Sequence, residues 1–456
     1  MQPEATPNSE KLNASYMHNH ETMLSVLRGT DGPIVPQKKE PDLTVCLERV
    51  LVDRATNMVV AYEGENGIEQ LFKNIADAWK GLALVYQEGR LIGLEGRLVI
   101  TQNQLVGIKV SLCAGGQIAC SAGPSSSIFA LLRVIESFDL QVHAVSRAMG
   151  CEYELVAEGY NSYVSSPLDV QLVPRAQFTL LTAHLSQKGR YARDALRCEC
   201  ATSISLVHGG DRASLASLRL ATALSPLLNF LCDNVRCFRG TDARHTQRMI
   251  RSVIWEEVDP SRCGMVPGIF ENDFSFERYL AWLEDIQPIM FEGDDGSVVS
   301  TGKQTLKEHM SGQRYSRNEA ARMLYRVFPY ARLLEHTLQI TQADSMRPHL
   351  VGGYLAFMKG LFRNELTVDN ALSCFGVLGQ NDVADAAREL RKNGWDATVY
   401  GRSASELVDQ LIRLSRSALN NSKEQLLLDH IAELWEVRMV PRDAFVRQEI
   451  KTIRGW

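Results

Sequence analysis

The residues best placed for chemistry lie in and around Leu112-Cys113-Ala114-Gly115-Gly116-Gln117-Ile118-Ala119-Cys120-Ser121-Ala122-Gly123-Pro124. A Gly-Gly pair sits there between two apolar runs. Glycine lets the backbone bend sharply or approach a ligand closely, and Gln117 sets one amide donor group and one acceptor beside the bend. The Ser-Ala-Gly-Pro that follows reads as a turn before a helix starting near Ser127. Upstream, Thr44 to Asp53 alternates like a strand, which places Cys46 and Glu48 on one face. Cys198-Glu199-Cys200 would put two thiols on one face of a strand. Its simpler reading is two small apolar core residues. His18 and His20 form a weak metal-binding pattern in a polar segment that reads more simply as a solvated tail.

The elements that must position these residues are set by an ordinary folded composition. The chain has 456 residues, 45% hydrophobic and 23% charged, enough for one large domain or two to three smaller ones. A net charge of −5 offers no electrostatic case for nucleic acid or an anionic membrane. No continuous apolar run approaches the roughly 20 residues that span a bilayer. The N-terminus lacks a basic-then-apolar leader pattern, so the expectation is a cytoplasmic protein whose ten scattered cysteines remain thiols. Residues 1–40 read as a disordered tail with one short helix around Thr22 to Leu27. Short strands are expected at Leu91–Gly93 and Leu98–Thr101, and longer ones at Glu152–Tyr160 and Ala201–Gly209. Helices are expected at Ser127–Met149, Arg175–Gln187, Arg190–Leu196 and, from about Thr367, through the amphipathic run Ala404–Leu419. The implied division is a tail (1–40), a main domain (41–366) and a helical C-terminal segment of the same domain (367–456). No internal repeat is visible.

The glycine stretch resembles the Leu-Glu-Pro-Gly-Gly-Gln-Leu-Glu-Leu-Ser-Gly motif of the glutamate–cysteine ligase family, in its plant and proteobacterial branch. Gly115, Gly116, Gln117 and Ser121 are kept, while Cys113 and Ala119 stand at the two glutamates. The opening strand resembles the family's Glu-x-Glu strand, with Glu48 kept and Cys46 replacing the first glutamate. Ser205, Val207 and Gly209 stand where the family has Gln-x-Asn-x-Asp. Arg251-Ser252-Val253-Ile254-Trp255 and Asp259 to Pro267 are similar to the family's Arg-x-x-Ile-Trp and Asp-x-x-Arg-x-Gly-x-x-Pro, which places Arg262. Val327 to Leu333 resembles Phe-Pro-x-x-Arg-Leu, which places Arg332. The strand after it keeps Asp344, with Gln339 and Thr341 replacing a glutamate and an arginine. The resemblance runs from about Leu43 to Pro441.

That resemblance implies an α+β fold: an antiparallel sheet bent into an open, glutamine-synthetase-like funnel surrounded by helices. It implies an amide or γ-glutamyl bond made between an amino-acid carboxylate and an amine with ATP and Mg²⁺. Catalytic roles would fall to Arg251, Arg262 and Glu48, and binding roles to Gly115, Gly116, Gln117, Trp255, Arg332 and Asp344. Of the aligned metal carboxylates only Glu48 remains. Cys46, Cys113, Ala119 and Gln339 are poor partners for a hard cation, so the departures argue against ATP and Mg²⁺ use. Glu48, Cys46 and Cys113 are the residual metal candidates, the cysteines for a soft metal or a redox pair, and His208 and His336 lie in segments that could reach the funnel. The arginines have a second reading, ion pairing with Glu256, Asp259 or Asp344. Three functions stay open: a ligase with an altered metal site, a repurposed enzyme, and a non-catalytic amino-acid-binding relative. A small amino acid is the expected partner.

Overall fold

The alternation of Leu43–Asp53 (β1) becomes the centre of a ten-stranded antiparallel sheet. The computed structural model describes residues 7–29, 40–101, 104–207, 209–244, 246–335 and 337–444, so His208 and His336 lie outside the described residues. The main path of the sheet adds β2 (Leu82–Gln87), β3 (Arg90–Thr101), β4 (Gln104–Leu112), β5 (Ile118–Ser125), β6 (Ala201–Val207), β7 (Ala331–Leu334) and β8 (Thr337–Asp344). Their spatial order is β7-β8-β6-β1-β5-β4-β3-β2. Two shorter strands, Met58–Val59 and Tyr153–Val156, also pair with β1.

Each central strand has a buried and a polar side. Leu43, Val45 and Leu47 of β1 are fully buried with Ile118, Cys120 and Ala122 of β5. Each large aliphatic side chain so buried contributes about 1.5–3 kcal/mol. Helix α2 (Ile128–Ala148) contacts β1, β3, β4 and β5, and its N-terminus is capped by the Ser127 side chain. Helix α3 spans Ala176–Leu185. Helix α4 (Asp211–Leu231) packs against β7 and β8. α4 is long and apolar enough to cross a bilayer by length and composition, against the expectation of no such segment, but 78% of its apolar window is buried inside the protein. Further helices are α5 (Ile250–Glu256), α6 (Pro348–Leu361), α7 (Asp382–Asn393), α8 (Ala404–Ala418) and α9 (Ser422–Glu436), with α6 packed on α8 and α9. This is the expected α+β arrangement of a large antiparallel sheet surrounded by helices.

Two local expectations are corrected. The N-terminal segment expected as a disordered tail holds a 22-residue helix, α1 (Pro7–Arg28). It docks because Met23, Val26 and Leu27 are buried and Asn19 donates to the carbonyls of Met310 and Gln313. Tertiary burial overrides the weak local pattern here. The Ser121-Ala122-Gly123-Pro124 expected as a turn continues β5 to Ser125. Ser121 and Ala122 pair with both flanking strands, and the strand signal wins over the Gly-Pro turn signal.

Candidate functional site

The polar face of the sheet is built by cross-strand rows. Lys109 lies opposite Ser121, Ser121 opposite Cys46, and Cys46 opposite Ser203. In the next rows Ser111 lies opposite Ala119 and Ala119 opposite Glu48, while Thr44 meets Ser205, Ser205 meets Gln339 and Gln339 meets Arg332. These rows carry hydroxyls, a thiol and an amide, with Glu48 as their one carboxylate. The Cys113–Gly116 turn joins β4 to β5, with the Gly116 amide donating to the Cys113 carbonyl at 3.0 Å. Gly115 must lack a side chain, because a Cβ there would lie 2.3 Å from the Arg197 carbonyl oxygen. Gln117 locks the turn: its side-chain oxygen accepts from the Gly115 amide at 3.0 Å and its amide nitrogen donates to the Glu199 carbonyl at 3.0 Å.

A cavity of about 560 Å³ opens between this face, α3, α5 and the segment 326–330. Its charged lining is three glutamates, Glu48, Glu199 and Glu256, and four arginines, Arg175, Arg251, Arg326 and Arg332. Most of these charges are already engaged. Glu256 accepts from Ser252 and Arg391. Arg326 reaches Glu292 at 2.9 Å, and Arg175 bonds Gln87. Arg332 donates to Gln339 at 2.6 Å and to the carbonyls of Tyr325 and Val327. One Glu48 oxygen accepts from the Ala201 amide at 2.8 Å, and the Cys113 thiol lies 3.7 Å from the other.

The exception is one wall of the cavity. Glu199 is 5% exposed, and both of its carboxylate oxygens lack a hydrogen-bond partner. Arg251 stands with Nε 3.5 Å from Glu199 Oε2, and that Nε is also unpartnered. The Trp255 indole N–H is buried beside Glu199 and helps hold its carboxyl down, without completing a hydrogen bond of full geometry. Orphaned buried polar atoms are rare and each costs about 1–3 kcal/mol. Here they converge from two elements, α5 and the segment leading into β6.

The protonation states follow from burial. Burial raises the Glu199 carboxyl well above its usual range, against the opposing pull of Arg251. Glu48 is likewise raised by burial and held back by the Ala201 amide and Arg251. Burial and the Glu48 carboxylate push the Cys113 thiol well above its ordinary value, and burial lifts Cys46 to about 12. Both cysteines are therefore neutral thiols, the form in which cysteine is a poor nucleophile.

The sequence-derived site residues separate into two groups. Glu48, Cys113, Gln117, Arg251, Trp255, Arg332, Gln339 and Thr341 line the cavity. Gly115 and Gly116 shape its rim through the turn. Arg262 takes its structural role: it is 1% exposed, bonds Asp259 at 2.7 Å and donates to the Arg326 carbonyl. Asp344 accepts from the Asn234 amide at 2.8 Å, away from the cavity lining. Cys46 also lies off the lining. Cys198 and Cys200 are buried beside β6, the core reading of that pair. Glu199 between them is the residue that sequence reasoning missed. Its signal was an acid between two small apolar residues, two positions before a strand, where burial is expected and charge is not.

The family resemblance implies ATP and Mg²⁺, and the donor set can be tested against them. Among the described residues no group of three histidines, cysteines, aspartates or glutamates is arranged to hold a metal ion. The lining carboxylates are Glu48, Glu199 and Glu256; Arg251 is the cation beside the first two, and Glu256 is held by Ser252 and Arg391. A Mg²⁺ site made by the protein alone does not fit these residues.

The comparisons with known proteins agree with the motifs. Relatives are the rice (japonica) chloroplastic glutamate–cysteine ligase B, 21% identical over 360 residues with 76% of this chain and 70% of the relative covered, and the chloroplastic enzyme of Brassica juncea, 22% identical with 75% and 68% covered. The Arabidopsis thaliana enzyme is 22% identical, with 75% and 67% covered. Those relatives are chloroplastic enzymes, so they lend no support to a cytoplasmic location here. A crystal structure of the complex between the prokaryotic ubiquitin-like protein Pup and its ligase PafA matches at a TM-score of 0.40 and 9% identity. It covers 88% of this chain, which spans 64% of that solved chain. The profile of glutamate-cysteine ligase family 2 matches residues 45–432, and this chain belongs to that family.

Proposed function

We propose that this ligase-family protein recognises a free amino acid in the cavity beside β1, with Arg251 as the fixed cation of the site. One observation carries the reading: Arg251, Glu199 and the Trp255 indole N–H meet at a single buried wall, turned toward one another without a hydrogen bond of full geometry. A zwitterion satisfies all three. Its carboxylate accepts from the guanidinium and the indole N–H, and its ammonium donates to Glu199 and Glu48. Charge-assisted bonds of this kind are the strong ones. An arriving ammonium also favours the charged forms of both glutamates, which burial disfavours. The relatives' names point to glutamate as the first ligand to test. In thermal unfolding, L-glutamate is expected to raise the transition temperature, and glutarate, which lacks the ammonium, is expected to raise it much less. Equal shifts would remove the zwitterion reading.

Amide-bond formation with ATP is the second reading, and family membership favours it. The chain would contribute Arg251 to substrate binding, and nucleotide phosphates and water would have to supply most of the metal's ligands. Release of ADP that depends on both glutamate and an acceptor amine would establish it.

A further inference from the structure

The short helix α5 has two working sides. Arg251, Ser252, Trp255 and Glu256 face the cavity described above, and Ile250, Val253 and Ile254 line a second cavity of about 220 Å³. The opposite wall of that second cavity is aromatic, with Tyr191 and Phe238 in edge contact at 6.1 Å. Its charged lining residues are Arg248 and Arg391, with no acid among the described lining residues. Arg391, at the end of α7, joins the two cavities. It donates to the Glu256 carboxylate and lies 3.3 Å from the Ser252 hydroxyl, and its Nε is buried without a partner.

We propose that this second cavity binds a small aromatic or branched apolar carboxylate, and that occupancy is relayed to the amino-acid cavity through Arg391. The apolar and aromatic walls would take the hydrocarbon part, and the two guanidinium groups without a lining acid would take one negative charge. A carboxylate drawing on Arg391 competes with Glu256 for the same guanidinium. Glu256 would then present a less neutralised charge to the first cavity and oppose an incoming carboxylate. The coupling is reciprocal, so the amino acid must weaken the second ligand by the same factor. Only this relay rests on the amino-acid reading; binding in the second cavity does not.

The test uses 3-phenylpropionate, with 3-phenylpropan-1-ol as its uncharged counterpart, titrated into the full-length protein by calorimetry. The acid is expected to saturate at millimolar concentration and to bind at least about tenfold tighter than the alcohol, which corresponds to about 1.4 kcal/mol. Val253→Phe, which fills the cavity, and Arg391→Gln, which removes the charge, should each weaken the acid about tenfold or more while thermal unfolding shows a folded protein. Saturating 3-phenylpropionate should raise the Kd for L-glutamate several-fold. Equal binding of acid and alcohol, no saturation, or an unaffected Val253→Phe would overturn the site, whatever the protein does with glutamate. Acid binding as expected with an unchanged glutamate Kd would overturn the relay.

Discussion

Arg251 is the residue on which the site turns. It stands against Glu199 at 3.5 Å and favours the charged forms of Glu48, Glu199 and Asp344. Arg251→Gln should lower amino-acid affinity by more than tenfold in calorimetry. It should also destabilise the protein by about 1–3 kcal/mol, because it leaves the buried Glu199 carboxyl without its polar neighbour; an unchanged affinity would assign Arg251 to structure alone. Asp344 makes a separate prediction about pH. Burial, with Asp233 nearby, raises its carboxyl to about 7. An acid whose folded pKa lies above its unfolded value near 4 holds its proton longer when folded. Its contribution is therefore most favourable below about pH 4 and declines as pH rises to about 7, by up to about 1.4 kcal/mol per pH unit. Asp344→Asn keeps an acceptor for the Asn234 amide and removes the ionisation. Denaturant titrations should show the variant losing less stability than the parent between about pH 5 and about pH 8, and parallel profiles would contradict this.

At the scale of elements, the β4–β5 turn and α1 make opposite points about what a sequence displays. Gly115, Gly116 and Gln117 stood out because glycines between two apolar runs mark a backbone that must bend or approach closely, and the turn shows both. Gly115→Ala should push the hairpin away from Arg197 and draw Gln117 off the Glu199 carbonyl. The expected result is weaker amino-acid binding together with a lower unfolding temperature; a variant with parental values of both would show that the close approach is unimportant. Helix α1 was illegible as a long helix because its docking draws largely on polar side chains whose partners lie far away in the chain. Besides Met23, Val26 and Leu27, it is held by Asn19, by the Tyr16 and His20 contacts to Glu284, by the Arg28 ion pairs with Asp211 and Glu277 and by Arg317 on Ser25. Met23→Ala should cost about 2–4 kcal/mol in denaturant unfolding, and a neutral outcome would mean that α1 is not part of the cooperative fold.

At the scale of the whole molecule, the sheet and its helices were legible because alternation and family motifs extend across most of the chain. The site was legible only where chemistry and motif coincided, at Glu48, Gln117, Arg251, Trp255 and Arg332. Arg262 shows the limit: motif position marks a residue as important without separating binding from scaffolding, and here the guanidinium ties Asp259 to the Arg326 carbonyl. Glu199 shows the reverse limit, since its partners come from distant parts of the chain and only folding brings them together. The cavity carries one neutral thiol, Cys113, and hydroxyls on the sheet, with two glutamates, Glu48 and Glu199, that share Arg251 as a counter-charge. The most direct test is calorimetric titration of L-glutamate into chelator-treated protein, repeated with Mg²⁺ and ATP. The expected result is saturable binding without metal or nucleotide that is lost in Arg251→Gln. Binding that appears only when Mg²⁺ and ATP are both present would contradict it.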